Sequence, residues 1–384
     1  MKIAIIGFGT VGRGAYDILK DRKEILAQYT EPIEVSYIVV TERSKARLAE
    51  QFGDTVVTGA DYDRVLDEVD LIAEATGDTE SAFDYMKRAL EKKIAVVTAN
   101  KAAVSAHYRE FVELAEKNDT PFLCEAAVGG GIPVLTPLRG LALQNEIRGV
   151  RGILNGTCNY LLNAMYDDGA DYAEVLAQCQ EMGYAEQDPT DDVEGFDTRR
   201  KLHILIEMAM GAIDGDAIPT RGIAEIDGDI VGYLKARNKK IKLVASATKT
   251  ARGIEAVVEP LIVDADSALG VLPLAINQVQ VKGHWVGDVA FTGPGAGKEP
   301  TGNAVVADIV TAATKSDLPL LRRESLPLAG VRGRYFVAYP LEGDIVDRID
   351  DGYAITKEIE RERLSELLPD TAFFARIEGD EWNR

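Results

Sequence analysis

Residues 183–201, GYAEQDPTDDVEGFDTRRK, concentrate the polar chemistry of this chain. Six carboxylates, Glu186, Asp188, Asp191, Asp192, Glu194 and Asp197, precede Lys201. Pro189 and Gly195 make the first part a loop, and the apolar run Leu202, Ile204, Leu205, Ile206 and Met208 predicts a buried helix entered near Asp197. Asp197 and Lys201 then lie one turn apart on one helix face. On a solvated surface such a pair contributes about 0.3–0.5 kcal/mol. Around a ligand the same groups would bind an ammonium or a hydroxyl, with an amine placed to exchange a proton.

The other chemistry-bearing residues sit at strand ends. The chain opens MKIAIIGFGTVGRGAYDILK: a short apolar strand over 3–6, then Gly7, Gly9 and Gly12, then a helix patterned by Ala15, Ile18 and Leu19. In this setting Gly7 permits the tight turn, Gly9 lets the backbone approach a pyrophosphate, and Gly12 lets helix and strand pack closely. Phe8, Thr10 and Val11 complete this cofactor loop at the helix N-terminus. A second strand, 35–40, leads to Thr41, Glu42, Arg43, Ser44 and Lys45, where an adenosine ribose belongs. Glu42 suits the 2′-hydroxyl of NAD. Arg43, with Lys45 and Ser44, suits the 2′-phosphate of NADP, and its place directly after the acid tilts the reading slightly to NADP. Strands 71–75 and 94–98, separated by a helix over 81–90, continue the parallel rhythm. They put Thr76, Gly77 and Asp78, and Ala99, Asn100 and Lys101, at the carboxyl edge where such sheets bind ligands.

Residues 121–127 read as a strand that runs through Glu125 into Val128, Gly129, Gly130, Gly131, Ile132 and Pro133, the proline suited to a first helical position. A glycine hinge and an oxygen-lined cation site both fit this pattern. Residues 152–162, GILNGTCNYLL, read as strand then helix, with Asn155, Gly156, Thr157 and Asn159 at the junction. Such amides and hydroxyls can bind an amino-acid carboxylate without adding charge. Further strands are expected at 243–247, 254–258 and 278–282, and a glycine loop with a helix of small residues over 293–310.

The 183–201 string resembles the substrate-binding segment of the homoserine dehydrogenases, with its Gly-Tyr-x-Glu turn, Asp-Pro-x-Asp-Asp loop and Asp-x-x-x-Lys helix start in this order. TANK, at 98–101, and GILNGTCNYLL are similar to segments of the same family. The resemblance runs over residues 1 to about 330 and implies roles. Glu186 and Asp197 would hold the amino and hydroxyl groups of homoserine, with Gly183, Asn155, Thr157 and Asp192 around them. Lys201 would be the acid/base and Lys101 a second catalytic lysine beside the nicotinamide, with Thr76, Gly77 and Gly297 nearby. Glu125, Val128, Gly130 and Ile132 would ligate a structural monovalent cation, sodium or potassium.

By the same resemblance the fold is α/β. A Rossmann-type dinucleotide-binding domain (1–126 and 300–330) joins a second α+β domain (127–299), built on an open mixed sheet and used for substrate binding and dimerisation. Residues 331–384 form an extension too short for a full ACT-type sensing module, with 334–341 as a candidate first strand. The implied reaction is reversible hydride transfer between NAD(P)H and aspartate 4-semialdehyde, yielding homoserine, in a homodimer or larger homo-oligomer. Two other readings keep the glycine loop: a different two-domain dehydrogenase, and a non-catalytic dinucleotide sensor that needs neither lysine.

Composition sets the bounds. With 384 residues, 46% of them hydrophobic, the chain can bury two cores. A formal net charge of −20 opposes nucleic acid and anionic membranes as partners. Cys124, Cys158 and Cys179 lie far apart without a CxxC, which predicts neither disulfides nor zinc. Four apolar residues between Lys2 and Gly7 are too few for a signal peptide, and no window reaches a membrane span, so a cytoplasmic location is expected. His107, His203 and His284 have no catalytic neighbour in sequence, so no histidine chemistry is expected.

Overall fold

Short apolar runs that end at glycine or polar residues become six parallel strands in the computed structural model, which describes residues 1–182 and 186–379. The chain divides into two units, Met1–Gln144 with Pro294–Arg322 and Asn145–Gly293 with Arg323–Arg384. In the first, β1 (Lys2–Ile6), α1 (Thr10–Asp21), α2 (Lys23–Leu26), β2 (Glu34–Val40), α3 (Glu42–Phe52), β3 (Val56–Thr58) and α4 (Tyr62–Leu66) form one half. β4 (Leu71–Glu74), α5 (Thr79–Glu91), β5 (Ala95–Thr98), α6 (Lys101–Asn118) and β6 (Phe122–Leu123) form the other. The order β3-β2-β1-β4-β5-β6 is that of the dinucleotide-binding doubly wound sheet.

The first turn works as its glycines require. Gly7 has φ 85, and a Cβ on Gly12 would stand 2.1 Å from the Gly7 carbonyl oxygen. The helix read over 293–310 is α13 (Lys298–Thr314), which belongs to this unit because Gly302 and Gly14 let it cross α1 backbone to backbone. Ala304, Val305 and Ile309 thereby join Ile3, Ile5, Ala15 and Leu71 in one core.

Two local expectations change. The strand read over 121–127 is only Phe122–Leu123, because Glu125–Ala127 turns into a short 3-10 segment. Glu125 is anchored there: its amide donates to Asp308 at 2.8 Å, and its carboxylate accepts from the amides of Val134, Leu135 and Thr136 at 2.6, 2.7 and 2.7 Å. Those amides open α7 (Leu135–Gln144), so Pro133 precedes the helix rather than starting it. Arg139 of α7 donates to the Leu318 carbonyl at 3.1 Å. These bonds keep α7 in the first unit, whose boundary is Gln144 rather than residue 126.

In the second unit, β7 (Ile147–Ile153) is followed by α8 (Gly156–Asp168), α9 (Tyr172–Glu181), α10 (Thr190–Val193), α11 (Phe196–Ala209) and α12 (Gly228–Lys235). The long antiparallel pair β8 (Lys239–Thr250) and β9 (Gly253–Asp264), then β10 (Ile276–Gly283) and β11 (Gly287–Pro294), complete the sheet's first half. α8, α11 and α12 pack on these strands. Residues beyond 323 are not a separate extension. β12 (Leu328–Ala329) pairs with β9, and β13 (Arg332–Gly333) pairs with β17 (Ile359–Glu360). β14 (Tyr335–Ala338), β15 (Val346–Asp350), β16 (Tyr353–Thr356) and β18 (Phe373–Ile377) continue the mixed sheet as β9-β18-β14-β16-β15. One helix, α14 (Arg361–Leu367), covers them, and Tyr335, Val337, Leu364 and Phe374 share its core.

One buried cation anchors α8. Lys242 of β8 is 1% exposed and donates to the side-chain oxygens of Asn159 and Asn163 at 2.8 Å each and to the Leu272 carbonyl at 3.2 Å. Burial pushes its ammonium down to about 7. An unfolded lysine holds its proton to about 10.4. Between those values the unfolded chain binds the extra proton, so through this group folding stability rises with pH. Chemical denaturation at pH 7, 8 and 9 should show a positive slope that flattens in Lys242→Met. Equal slopes would contradict the assignment.

Candidate active site

β7 stops at Ile153, and only Leu154 and Asn155 separate it from α8. Asn155 caps α8 by accepting from the Cys158 amide at 2.9 Å. This fixes the other end of the side chain, whose Nδ2 donates to Asp192 at 2.7 Å and to Asp197 at 3.0 Å. Gly195, at φ 83, makes the left-handed turn between α10 and α11 and leaves Asp197 in the first turn of α11. A carboxylate is favoured at that end of a helix.

Lys201 Nζ donates to Asp197 Oδ2 at 2.7 Å and to the Leu154 carbonyl at 2.8 Å. Asp197 is 4% and Lys201 9% exposed, so the pair is not the solvated surface contact that spacing alone permits. Removing one member of a buried pair costs about 3–5 kcal/mol, an order above the surface value. Two acceptors serve three N–H groups, and among the described residues no third acceptor reaches this ammonium. Asp192, Asp197 and Lys201 together keep one formal negative charge. Cys158 donates to the Asp192 carbonyl at 3.2 Å, and burial raises its thiol well above the ordinary range, so it is no thiolate nucleophile.

Thr157 is buried in the first turn of α8. Glu186 is exposed and its carbonyl accepts from the Gln180 side chain at 3.2 Å. Gly183 lies outside the described residues. His203 is a core residue, 3.3 Å from Glu207.

In the first unit a second polar frame forms at the carboxyl edge. Glu74, fully buried at the end of β4, accepts from the Thr76 amide at 2.7 Å and from the hydroxyls of Thr76 and Thr98 at 2.6 Å each. Burial pushes its carboxyl up, against the pull of those donors. Asn100 caps α6 through Ala103 at 3.0 Å and donates to the carbonyls of Thr76 and Asp78 at 3.2 and 3.3 Å. The loop carrying Thr76 and Gly77 is thus bonded to the one carrying Lys101, the half-buried first residue of α6.

The glycine loop fits a dinucleotide. A Cβ on Gly9 would meet nothing within 4 Å, which leaves its backbone open to a phosphate. Thr10 and Val11 begin α1, and Phe8 packs edge-on against Tyr16 and Phe52. Gly297, at φ 122, precedes α13. A cavity of about 390 Å³ lies between Gly7, Glu42 and Thr76. The glycine turn after β6 also has a feature that an ion would satisfy. No donor among the described residues reaches the buried carbonyls of Val128, Gly130 and Ile132. The Glu125 carboxylate accepts three amides and its carbonyl accepts the Val128 amide at 3.4 Å, so each keeps a lone pair that an ion could share.

Comparison with known proteins shows the family. The homoserine dehydrogenase NAD-binding domain matches residues 7–125, and the homoserine dehydrogenase domain matches residues 133–310. The chain is 36% identical over 313 residues to the homoserine dehydrogenase of Pseudomonas aeruginosa, covering 81% of this chain and 71% of that one. It belongs to the homoserine dehydrogenase family. The enzyme from Corynebacterium glutamicum is 35% identical over 360 residues, 90% of this chain and 80% of its own length. The crystal structure of a homoserine dehydrogenase from Thiobacillus denitrificans superposes with a TM-score of 0.86 at 28% identity, covering 98% of each chain.

As a homoserine dehydrogenase the chain is an NAD(P)-dependent oxidoreductase that interconverts homoserine and aspartate 4-semialdehyde. Sequence reasoning passed over the Leu154 carbonyl and Glu74 in this homoserine dehydrogenase. A backbone acceptor leaves no trace in residue type. Glu74 did leave one: a carboxylate closing the apolar strand Leu71–Glu74 has to find donors when buried.

Asn155→Asp keeps the cap but sets a third carboxylate against Asp192 and Asp197. The crowded group titrates above its unfolded value, so the native state holds a proton that the unfolded chain has lost, and stability falls as pH rises. Denaturant melts should show the variant about 1–3 kcal/mol less stable than wild type at pH 8, with a smaller deficit at pH 5. A deficit independent of pH would contradict the shared-amide geometry.

Proposed function

We propose that Lys201 is the acid/base of the homoserine reaction and that Asp197 holds it in place. The supporting observation is the ammonium with two of its three N–H groups fixed, on Asp197 and the Leu154 carbonyl, and a third left for a substrate oxygen. In the reductive direction that N–H stabilises the developing alkoxide and then donates to it. The dinucleotide supplies the hydride exchange itself. Lys101, the first residue of α6, is the second catalytic lysine, beside the nicotinamide.

The residual negative charge of the Asp192, Asp197 and Lys201 cluster suits the ammonium of an amino acid. Glu186 and Asp197 bind the amino and hydroxyl groups, with Asn155, Thr157, Asp192 and Gly183 completing the substrate's surroundings. Gly7, Phe8, Gly9, Thr10, Val11 and Gly12 form the phosphate loop, and Thr76, Gly77 and Gly297 border the nicotinamide. Sodium or potassium held by Glu125, Val128, Gly130 and Ile132 would give three orphan carbonyls a partner and stiffen the turn before α7. The enzyme works in the cytoplasm, a reading supported by three buried free cysteines and by the lack, among described residues, of any helix able to cross a membrane. It assembles as a homodimer or larger homo-oligomer through the sheet of the second unit, where β11 buries none of its residues.

Lys201→Met, which keeps the side chain's volume, should lower turnover with homoserine at least about a hundredfold. Dinucleotide affinity, measured by fluorescence titration, should stay within about threefold of wild type. Near-normal turnover would remove Lys201 from the chemistry.

A further inference from the structure

Which dinucleotide the enzyme takes depends on the charges that meet the adenosine ribose, and we propose that Glu42 makes it prefer NAD to NADP. The inference rests on the NAD(P)-dependent activity of the family. The cavity at the carboxyl ends of β1 to β4 has Glu42 and Asp78 in its wall and no lysine or arginine. Thr41, Thr58, Thr76, Ser81 and Tyr85 supply its remaining polar side chains, all of them uncharged. Glu42 is the second residue past the end of β2 and the first of α3, where the ribose of a dinucleotide seated on Gly7 meets the protein.

A carboxylate there accepts from the ribose hydroxyls. A 2′-phosphate offers no donor and brings further negative charge. Asp78 makes the mismatch worse. Its carboxyl is held below the usual range by Ser81, whose amide donates to it at 2.8 Å, so it stays ionised.

The nearby cations lie outside the cavity wall. Arg43 is exposed and not part of the cavity wall. Lys45 adds to the field on Asp61, whose carboxyl is held down first by the Thr58 amide and then by Arg64. Arg13 donates to Asp17 and Gln51 and lies over the rings of Phe8 and Phe52. Glu42 therefore weighs against the slight tilt to NADP read from Arg43. Because α3 begins at Glu42, the next residue is turned by about a quarter of the helix circumference and need not share its facing.

Titration of the full-length protein with NADH and with NADPH tests this without any substrate. Wild type should bind NADH at least about tenfold more tightly, about 1.4 kcal/mol, and show the same preference in kcat/KM with homoserine. Glu42→Gln keeps length and hydrogen bonding but removes the charge, and should bring the two affinities within about threefold, chiefly by tightening NADPH. Wild type that binds NADPH as well as NADH would overturn the proposal, as would an unchanged ratio in Glu42→Gln. Selective loss of NADPH binding in Arg43→Ala would also overturn it, returning the discrimination to the guanidinium. Failure to bind either dinucleotide would instead sink the underlying activity.

Discussion

A lysine ammonium and an aspartate taken out of water together are the constraint on which the second unit depends. Lys201 and Asp197 are both more than nine-tenths buried, and neither would be tolerated there alone. Their burial requires the Leu154 carbonyl and the Asn155 amide, and those are delivered by the break between β7 and α8. Asn155 must in turn be held as a helix cap, α8 must stay seated on β8, and the Lys242 cage with Asn159 and Asn163 performs that seating. Chemistry and fold are thus joined through three asparagines of one helix.

The first unit solves a related problem with a carboxylate. Glu74 is buried at a strand end and takes donors from the loops after β4 and β5. The same edge is kept free of positive charge on the ribose side, where Glu42 and Asp78 line the cavity. Negative groups therefore stand in two settings on one sheet edge: buried at Glu74, where they order loops, and lining the cavity at Glu42 and Asp78.

Much of this was legible in the sequence. The glycine loop, the alternation of strands and helices, and the Asp197 to Lys201 spacing each rest on local rules, and the parallel sheet follows them strand by strand. What was not legible depends on partners far away in the chain. Nothing near Glu125 tells that its carboxylate reaches amides nine to eleven residues on and ends the strand at Leu123. The unit boundary at Gln144 follows from those bonds and from Arg139 meeting Leu318. Residues 331–379 read as an add-on because β18 pairs with β9 more than a hundred positions earlier. Spacing alone could not tell a buried ion pair from a solvated one at Asp197, since the deciding group, the Leu154 carbonyl, has no side-chain signature.

The central claim is that Lys201 and Asp197 act as one unit on homoserine. A double-mutant cycle on homoserine oxidation, using Lys201→Met, Asp197→Asn and the double variant, tests it most directly. Groups that work as a unit give strongly non-additive losses. The double variant should lose no more than about threefold beyond Lys201→Met alone. Losses in kcat/KM that multiply across the two sites would show the residues acting independently and would contradict the account.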